Sequence, residues 1–151
     1  MKFKNKIYLT YDVDVLSMVK QLEYDVSKWR PDLVVGIKRG GVVPALHLSH
    51  SLDRPMEVIT WQTRDGEETE VNDVIMDQII SGKTVVFVDD INDSGRTLSE
   101  VVKAYSRWAD NPAKQIKTAV LVEKPNVNFI ADSKALRIDD PRWIVFPWEK
   151  D

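Results

Sequence analysis

The fold follows from one stretch in the middle of the chain, Val85-Val86-Phe87-Val88-Asp89-Asp90-Ile91-Asn92-Asp93-Ser94-Gly95-Arg96-Thr97. An apolar run ends there in two adjacent carboxylates, and a short polar loop leads into a helical pattern. Such a run is typical of a strand that is buried inside a parallel sheet. Open α/β sheets bind ligands just beyond the carboxyl ends of their strands. The stretch therefore predicts a ligand site between a central strand and the helix that follows it.

Strands and helices alternate on both sides of this stretch. Apolar runs predict strands at residues 7–10, 33–37, 56–61, 84–88, 116–122 and 136–138. Apolar residues at helical spacing predict helices that begin near Asp12 or Asp14 and at residues 42, 74 and 96. This alternation indicates an α/β fold with a mostly parallel, twisted sheet flanked by helices, formed by a single domain at residues 1–151.

The composition limits the classes of function. The 151 residues are 43% hydrophobic and 30% charged, which is typical of a globular protein. A net charge of −3 disfavours electrostatic binding of nucleic acid, so no nucleic-acid partner is expected. The lack of cysteine excludes disulfides and thiolate metal sites and fits a cytoplasmic location. No segment has the pattern of a signal peptide or a membrane span, so no stable membrane insertion is expected.

The acid pair and the loop after it suit two neighbouring chemical groups. Adjacent side chains of a strand point to opposite faces, so Asp89 and Asp90 need not share one role. A carboxylate accepts hydrogen bonds from a diol or helps to organise a hydrated Mg²⁺. The phosphate loop, which we define as residues 93–97, offers backbone N–H groups, hydroxyls and a helix N-terminus, for which a phosphate is the natural ligand. The alternatives are solvated acids with an N-cap, a receiver-type acid, or a Walker B acid, although no G-x-x-x-x-G-K-[ST] loop accompanies it.

Other segments have plausible binding chemistry and plain structural alternatives. In the basic loop, defined as residues 38–41, two cations and two glycines suit a pyrophosphate, although a simple basic turn has the same composition. The Lys124 ammonium only donates hydrogen bonds, so it favours a carbonyl over an amine, and Trp143 offers a stacking face for a planar base. The alternatives are a solvated lysine and a tryptophan that packs in the core. The polar loop at residues 62–73 is either a lid or a solvated loop.

Residues 85–97 resemble the phosphoribosyl-pyrophosphate signature of the type I phosphoribosyltransferases. Phe87 and Asn92 depart mildly, being bulkier or more polar than the commonest choices. The resemblance implies that Asp89 and Asp90 contact the ribose hydroxyls and that Asp89 lies near a Mg²⁺ cofactor held mostly through substrate and water. It implies that the 5′-phosphate is bound by Asp93, Ser94, Gly95, Arg96 and Thr97. It also implies catalytic roles for Asp89, Asp90 and Asp93, with Asp93 taking a proton from the N7 side of a purine.

The basic loop and the C-terminal region extend the resemblance toward the xanthine/guanine branch of the family. The match implies that pyrophosphate is bound by Lys38, Arg39, Gly40 and Gly41, with a cis or strained Lys38–Arg39 peptide, and that Arg64 reaches it when a mobile loop closes. It implies that Lys124 meets a purine 6-oxo group, that Trp143 stacks on the ring, and that a backbone carbonyl at Ile144 meets the 2-substituent.

The implied protein is a purine phosphoribosyltransferase that uses phosphoribosyl pyrophosphate and a 6-oxopurine (guanine, xanthine or hypoxanthine). The expected core spans about residues 30–125, and a hood formed by the N-terminal segment and about residues 126–151 covers the base. Relatives imply a homodimer or homotetramer. Two alternatives stay open: a phosphoribosyltransferase for another base such as a pyrimidine, and a non-catalytic regulator that senses phosphoribosyl pyrophosphate. The sequence does not rank the three purines.

Overall fold

A computed structural model of the chain describes residues 5–61 and 71–149. The strands are β1 (Lys6–Tyr8), β2 (Leu33–Lys38), β3 (Met56–Thr60), β4 (Val85–Asn92), β5 (Ile116–Glu123), β6 (Ser133–Arg137) and β7 (Trp143–Val145). The helices are α1 (Leu16–Trp29), α2 (Val42–Leu52), α3 (Asp73–Ile80), α4 (Arg96–Ser106) and α5 (Pro112–Gln115), with a π-helical turn at Tyr11–Val15 before α1. The strands and helices expected from the sequence all form, whereas the strand β7 and the short helix α5 were not predicted.

The main sheet has five strands in the order β3-β2-β4-β5-β6, and every neighbouring pair is parallel. The predicted α/β fold with a mostly parallel sheet is therefore confirmed. β1 and β7 form a separate two-stranded parallel sheet. No helix in the described ranges 5–61 and 71–149 combines the length and apolar character needed to cross a bilayer.

The central strand β4 explains why helices cover both faces of the sheet. Its first four residues are fully buried, and alternate side chains enter different clusters. Val86 and Val88 pack in the cluster that contains α1 and α2. Val85 and Phe87 pack in the opposite cluster, which contains α3 and α4. A strand that is apolar on both faces is stable only in the middle of such a three-layer arrangement.

The structure differs from the predictions at three places. β4 continues through Asp89, Asp90 and Ile91 to Asn92, because pairing with β5 extends to Asn92↔Glu123 and outweighs the low strand propensity of Asp and Asn. β6 pairs with β5 in the main sheet, so it belongs to the core rather than to the predicted hood at 126–151. α1 also packs on the main sheet through Val19, Leu22 and Val26, so the core begins well before residue 30.

Leu22 tests the packing of α1 on the sheet. Its side chain is fully buried, so Leu22→Ala should lower the free energy of unfolding by about 2–5 kcal/mol, through lost burial and a residual cavity. Urea denaturation followed by circular dichroism measures this change. Val13→Ala is the control, because Val13 is 72% exposed. Equal effects of the two substitutions would contradict the packing.

Candidate active site

The basic loop and the phosphate loop lie side by side because β2 and β4 are parallel neighbours. β2 ends at Lys38 and leads into the basic loop, while β4 ends at Asn92 and leads into the phosphate loop. The carboxyl ends of parallel strands meet at one edge of a sheet, where ligands of open α/β folds bind. The sequence-predicted phosphate and pyrophosphate segments are thus brought together.

The two glycines of the basic loop allow its backbone to lie against β4. A Cβ atom on Gly40 would lie 1.8 Å from Oδ2 of Asp90, and one on Gly41 would lie 2.1 Å from the carbonyl oxygen of Val88. Neither position has room for a side chain. The Gly41 N–H donates to the carbonyl oxygen of Ile37 at 2.9 Å, which closes the turn. The Lys38–Arg39 peptide bond is cis, as the family resemblance implied.

Asp89 and Asp90 lie in the last part of β4, between the basic loop and the phosphate loop. Asp90 is only 8% exposed, and Asp89 is partly exposed. Oδ1 of Asp89 accepts the backbone N–H of Asp90 at 2.8 Å. The two carboxyl groups also lie close enough to influence each other's pKa, so they do not point to fully separate surroundings as strand alternation alone suggested.

The surroundings of the acid pair disfavour two negative charges. Burial raises the pKa of the Asp89 carboxyl well above its ordinary value, and the charge of Asp90 adds to the rise. Burial also raises the pKa of Asp90, although hydrogen bonds from Asp89 and from the Trp148 indole oppose it. Donors or a cation brought by a ligand would therefore stabilise the ionised pair.

The phosphate loop keeps N–H groups available for an anion. Gly95 adopts φ +95°, and the N–H groups of Gly95 and Thr97 make no hydrogen bond with any residue in the described part of the chain. The Arg96 N–H instead donates to the Ser94 hydroxyl at 3.2 Å. The Arg96 side chain pairs with Glu100 at 2.9 Å. The loop therefore presents backbone donors at the start of α4, which is a suitable arrangement for a phosphate.

Lys124 lies at the end of β5, beside the phosphate loop. Its ammonium group donates to the carbonyl oxygens of Asp140 and Arg142, at 3.1 Å for the second. Asp140 and Arg142 form an ion pair at 2.8 Å that closes the same turn. A cavity of about 290 Å³ separates Lys124 from Asp93. The other residues that line this cavity are Pro125, Asn126, Asp139, Asp140 and Pro141.

Trp143 and Ile144 follow this turn as the first residues of β7. Trp143 is 61% exposed, whereas the Ile144 side chain is buried at 3% exposure. The Ile144 side chain is therefore not available to a ligand, and a contact through its backbone stays a prediction. Arg64, assigned to pyrophosphate from the sequence, lies outside the described residues.

The sequence of residues 14–150 matches the family model of the phosphoribosyl transferase domain. Xanthine-guanine phosphoribosyltransferase of Cereibacter sphaeroides is 32% identical over 130 residues, which cover 83% of this chain and 72% of that protein. The chain belongs to the phosphoribosyltransferase family. It is therefore an enzyme of this transferase class.

Two solved structures extend the likeness over almost the whole phosphoribosyltransferase chain. The purine phosphoribosyltransferase from Pyrococcus horikoshii Ot3 is 32% identical, with a TM-score of 0.78 over 97% of this chain and 96% of that one. A hypothetical protein from Neisseria gonorrhoeae with bound ppGpp is 27% identical, with a TM-score of 0.74 over 99% and 91% of the two chains. The main sheet and both loops lie within the shared fold.

One element of the phosphoribosyltransferase site received no role from the sequence. The Trp148 indole N–H donates to Oδ2 of Asp90 at 3.4 Å, and the Trp148 ring stacks on Phe146 with centroids 5.1 Å apart. Trp148 and Glu149 line a cavity of about 520 Å³ together with Arg39 and Asp90. The segment Pro147-Trp148-Glu149 is evident in the sequence, but its contact with β4 joins residues 58 positions apart and has no local signal.

The oxygen donors present fit Mg²⁺ only in combination with a substrate. Among residues 5–61 and 71–149, no three His, Cys, Asp or Glu side chains converge as a metal site. Mg²⁺ prefers oxygen ligands and commonly keeps waters and substrate oxygens. Asp89 and its neighbour are thus suited to support an ion that arrives with a polyphosphate.

Gly40 tests the contact between the basic loop and β4. Gly40→Ala should raise the KM for phosphoribosyl pyrophosphate about tenfold or more, because the methyl group would displace Asp90 or the loop, and tenfold corresponds to only 1.4 kcal/mol. Steady-state kinetics measures this. Gly82→Ala is the matched control: it strains a position with φ +85° but meets no atom within 4 Å, so it should reduce stability and leave the KM unchanged. An unchanged KM in Gly40→Ala would contradict the close contact.

Substitution of Asp90 tests whether the buried acid pair lowers the free energy of unfolding. Because the folded-state pKa is raised, ionised Asp90 destabilises the ligand-free fold above that pKa, and protonation removes the cost as pH falls. Asp90→Asn should therefore raise the free energy of unfolding at pH 8, and the gain should vanish at about pH 4, where the Asp90 carboxyl is protonated in the folded state.

Denaturation between pH 4 and pH 8 measures the difference in the free energy of unfolding between Asp90→Asn and the wild type. The activity of Asp90→Asn should also fall. Asp93→Asn is the control for stability, since Asp93 is exposed. A variant that is less stable than the wild type at pH 8 would show that Asp90 is compensated in the fold.

Proposed function

We propose that the protein transfers the 5-phosphoribosyl group from phosphoribosyl pyrophosphate to N9 of a 6-oxopurine, releasing pyrophosphate. The observation that carries the proposal is the convergence of the basic loop, the acid pair and the phosphate loop at one sheet edge, next to a cavity bounded by Asp93 and Lys124. The purine-specific names of the Cereibacter and Pyrococcus relatives support the same substrate class.

In this proposal each loop binds one part of phosphoribosyl pyrophosphate. The N–H groups and hydroxyls of the phosphate loop hold the 5′-phosphate, and Asp89 and Asp90 accept hydrogen bonds from the ribose hydroxyls. The basic loop holds the pyrophosphate through Lys38, Arg39 and its exposed backbone. When bound with the substrate, Mg²⁺ would supply charge neutralisation for the departing pyrophosphate. Arg64 remains a candidate for the same group.

The base would occupy the cavity between Asp93 and Lys124. Lys124 donates to the 6-oxo group, Trp143 provides a face for the ring, and the Ile144 carbonyl accepts from a 2-amino group. The Neisseria protein binds ppGpp, a nucleotide that contains a guanine base and pyrophosphate groups, and this ligand chemistry supports the proposal.

The reaction is a displacement at the anomeric carbon. N9 of the purine forms a bond to C1′ as the bond from C1′ to the pyrophosphate oxygen breaks, and both electrons of that bond leave with pyrophosphate. The purine loses one proton, which Asp93 accepts from the N7 side. The loops contribute chiefly by holding the nucleophile and the leaving group in line and by stabilising the charge of the leaving group.

The deciding experiment mixes the protein with Mg²⁺, phosphoribosyl pyrophosphate and a panel of bases, and measures pyrophosphate release. We expect release with guanine, hypoxanthine or xanthine and none with adenine, whose 6-amino group offers a donor to the Lys124 ammonium. Release with uracil or orotate alone would favour a pyrimidine enzyme. Binding of phosphoribosyl pyrophosphate without release from any base would favour the non-catalytic sensor.

Lys124 provides a residue-level test. Lys124→Ala should lower kcat/KM for the base about 10- to 100-fold, because a hydrogen bond from a charged donor contributes about 1.5–3 kcal/mol. The KM for phosphoribosyl pyrophosphate should change little. Lys103→Ala on the exposed side of α4 is the control. Equal kcat/KM in Lys124→Ala and the wild type would remove Lys124 from the base site.

The proposal also includes the architecture and setting of the enzyme. We expect one catalytic unit in which the β1–β7 sheet acts as the hood, a homodimer or homotetramer, and a cytoplasmic location. The packing of Ile144 and Phe146 on the α1 side of the core supports the hood as part of the same unit. Light scattering coupled to size-exclusion chromatography determines the oligomeric state.

A further inference from the structure

A buried hydrogen-bond network lies behind the phosphate loop, where β4 and β5 end. Asn92 and Glu123 are paired across the two strands and are 3% and 4% exposed. Asn92 Nδ2 donates to Glu123 Oε1 at 2.8 Å and to the carbonyl oxygen of Phe129 at 2.8 Å. Asn92, more polar than expected at this point of the signature, therefore connects β4 to the segment that follows β5.

Glu123 is the centre of this network. Its Oε1 also accepts the Ala131 N–H at 2.8 Å, and its Oε2 pairs with Lys134 Nζ at 3.0 Å. Burial opposes ionisation, but the Ala131 N–H, the Asn92 amide and Lys134 outweigh it and lower the pKa of Glu123. One buried carboxylate thus ties together the ends of β4 and β5, the segment at 129–131 and β6.

The network continues directly into the phosphate loop. Asn92 is followed in the chain by Asp93, and the Asn128 N–H donates to the carbonyl oxygen of Ser94 at 2.9 Å. A Cβ atom on Gly95 would lie 2.6 Å from the backbone nitrogen of Phe129, so this segment forms the back wall of the loop. A shift of Phe129 would therefore move the wall against which Gly95 rests.

A contribution to stability alone does not explain why Asn92 and Glu123 form a buried polar network. Well-packed apolar residues often replace a buried ion pair at little or no cost in stability. β4 and β5 are already held by backbone pairing from Val85↔Ile116 to Asn92↔Glu123 and by apolar packing on both faces. What apolar side chains would not supply is a fixed, directional link from β4 to the carbonyl of Phe129.

We propose that Asn92 and Glu123 are positioning residues that hold the phosphate loop in the geometry required for phosphoribosyl pyrophosphate. They act through the backbone of Phe129 and through the end of β4, without touching the ligand. The inference rests on the proposed function of the phosphate loop.

The test compares Asn92→Leu and Glu123→Gln with a matched control at the other end of β5. Gln115 is also a buried amide, 4% exposed, whose Nε2 donates to the carbonyl oxygens of Ile79 at 2.8 Å and Lys83 at 3.2 Å. Gln115→Leu therefore removes a comparable buried network far from the phosphate loop. Calorimetry with the full chain gives the Kd for phosphoribosyl pyrophosphate with Mg²⁺, and thermal melting gives the stability of each variant.

We expect Asn92→Leu to weaken phosphoribosyl pyrophosphate binding about 10- to 100-fold, which is the scale of small displacements in a binding geometry. Glu123→Gln should weaken it less, because its amide oxygen still accepts a hydrogen bond while the pairing with Lys134 is lost. Gln115→Leu should lower the melting temperature but leave the Kd unchanged. The Kd separates positioning from a general loss of stability.

Wild-type affinity in Asn92→Leu, or equal weakening in Gln115→Leu, would overturn the inference. If Asn92→Leu does not fold, Glu123→Gln decides by the same comparison. Turnover of the wild type with the purine panel is measured in parallel. Phosphoribosyl pyrophosphate binding without purine turnover would remove the proposed reaction while leaving the Kd comparison to decide this inference, whereas no binding by the wild type would overturn both.

Discussion

The site depends on the contact of the basic loop with β4. Gly40 lies against the Asp90 carboxylate and Gly41 lies against the Val88 carbonyl, with no room for a Cβ atom at either position. Because of this contact, the basic loop and the phosphate loop flank the acid pair at a separation fixed by one strand spacing, about 4.8 Å, rather than by long side chains. Gly36 has a related role one layer away, where a Cβ would lie 3.0 Å from the Cβ of Ala45 and push α2 from the sheet. The backbone therefore sets the geometry of the site.

The acid pair lies in a less favourable environment than the buried carboxylate of Glu123. Burial raises the pKa of both Asp89 and Asp90, and the charge of Asp90 adds to the rise at Asp89. Glu123 shows the opposite arrangement, because its donors satisfy the charge and lower the pKa of its carboxyl. Asp89 and Asp90 lack an equivalent set of donors among the described residues. Raised pKa values at one pair of acids, within a core whose other buried carboxylate is well compensated, are typical of a functional site.

The sequence predicted the architecture well because the decisive signals were local. The apolar run, acid pair, Gly-containing loop and helical spacing all lie within residues 85–108, and each reflects a backbone preference. The missed features required partners that are distant in the chain. β4 extends to Asn92 because β5 pairs with it, β6 joins the main sheet despite its polar residues, and Trp148 reaches Asp90 across 58 positions. Neither the exclusion of side chains at Gly40 and Gly41 nor the Asn92–Glu123 network has a signature in a single segment.

The hydrogen bonds that Lys124 makes within the chain limit the number of donors it can offer to a ligand. An ammonium group has three N–H donors, and two of them are already directed at the carbonyl oxygens of Asp140 and Arg142. A single donor is left for an incoming ring, so the lysine can read one acceptor atom of that ring. Selectivity would then arise mainly from the penalty for a wrong ring. A ring that presents an N–H donor at this point leaves the Lys124 ammonium facing a hydrogen atom, and this costs more free energy than the correct ring gains.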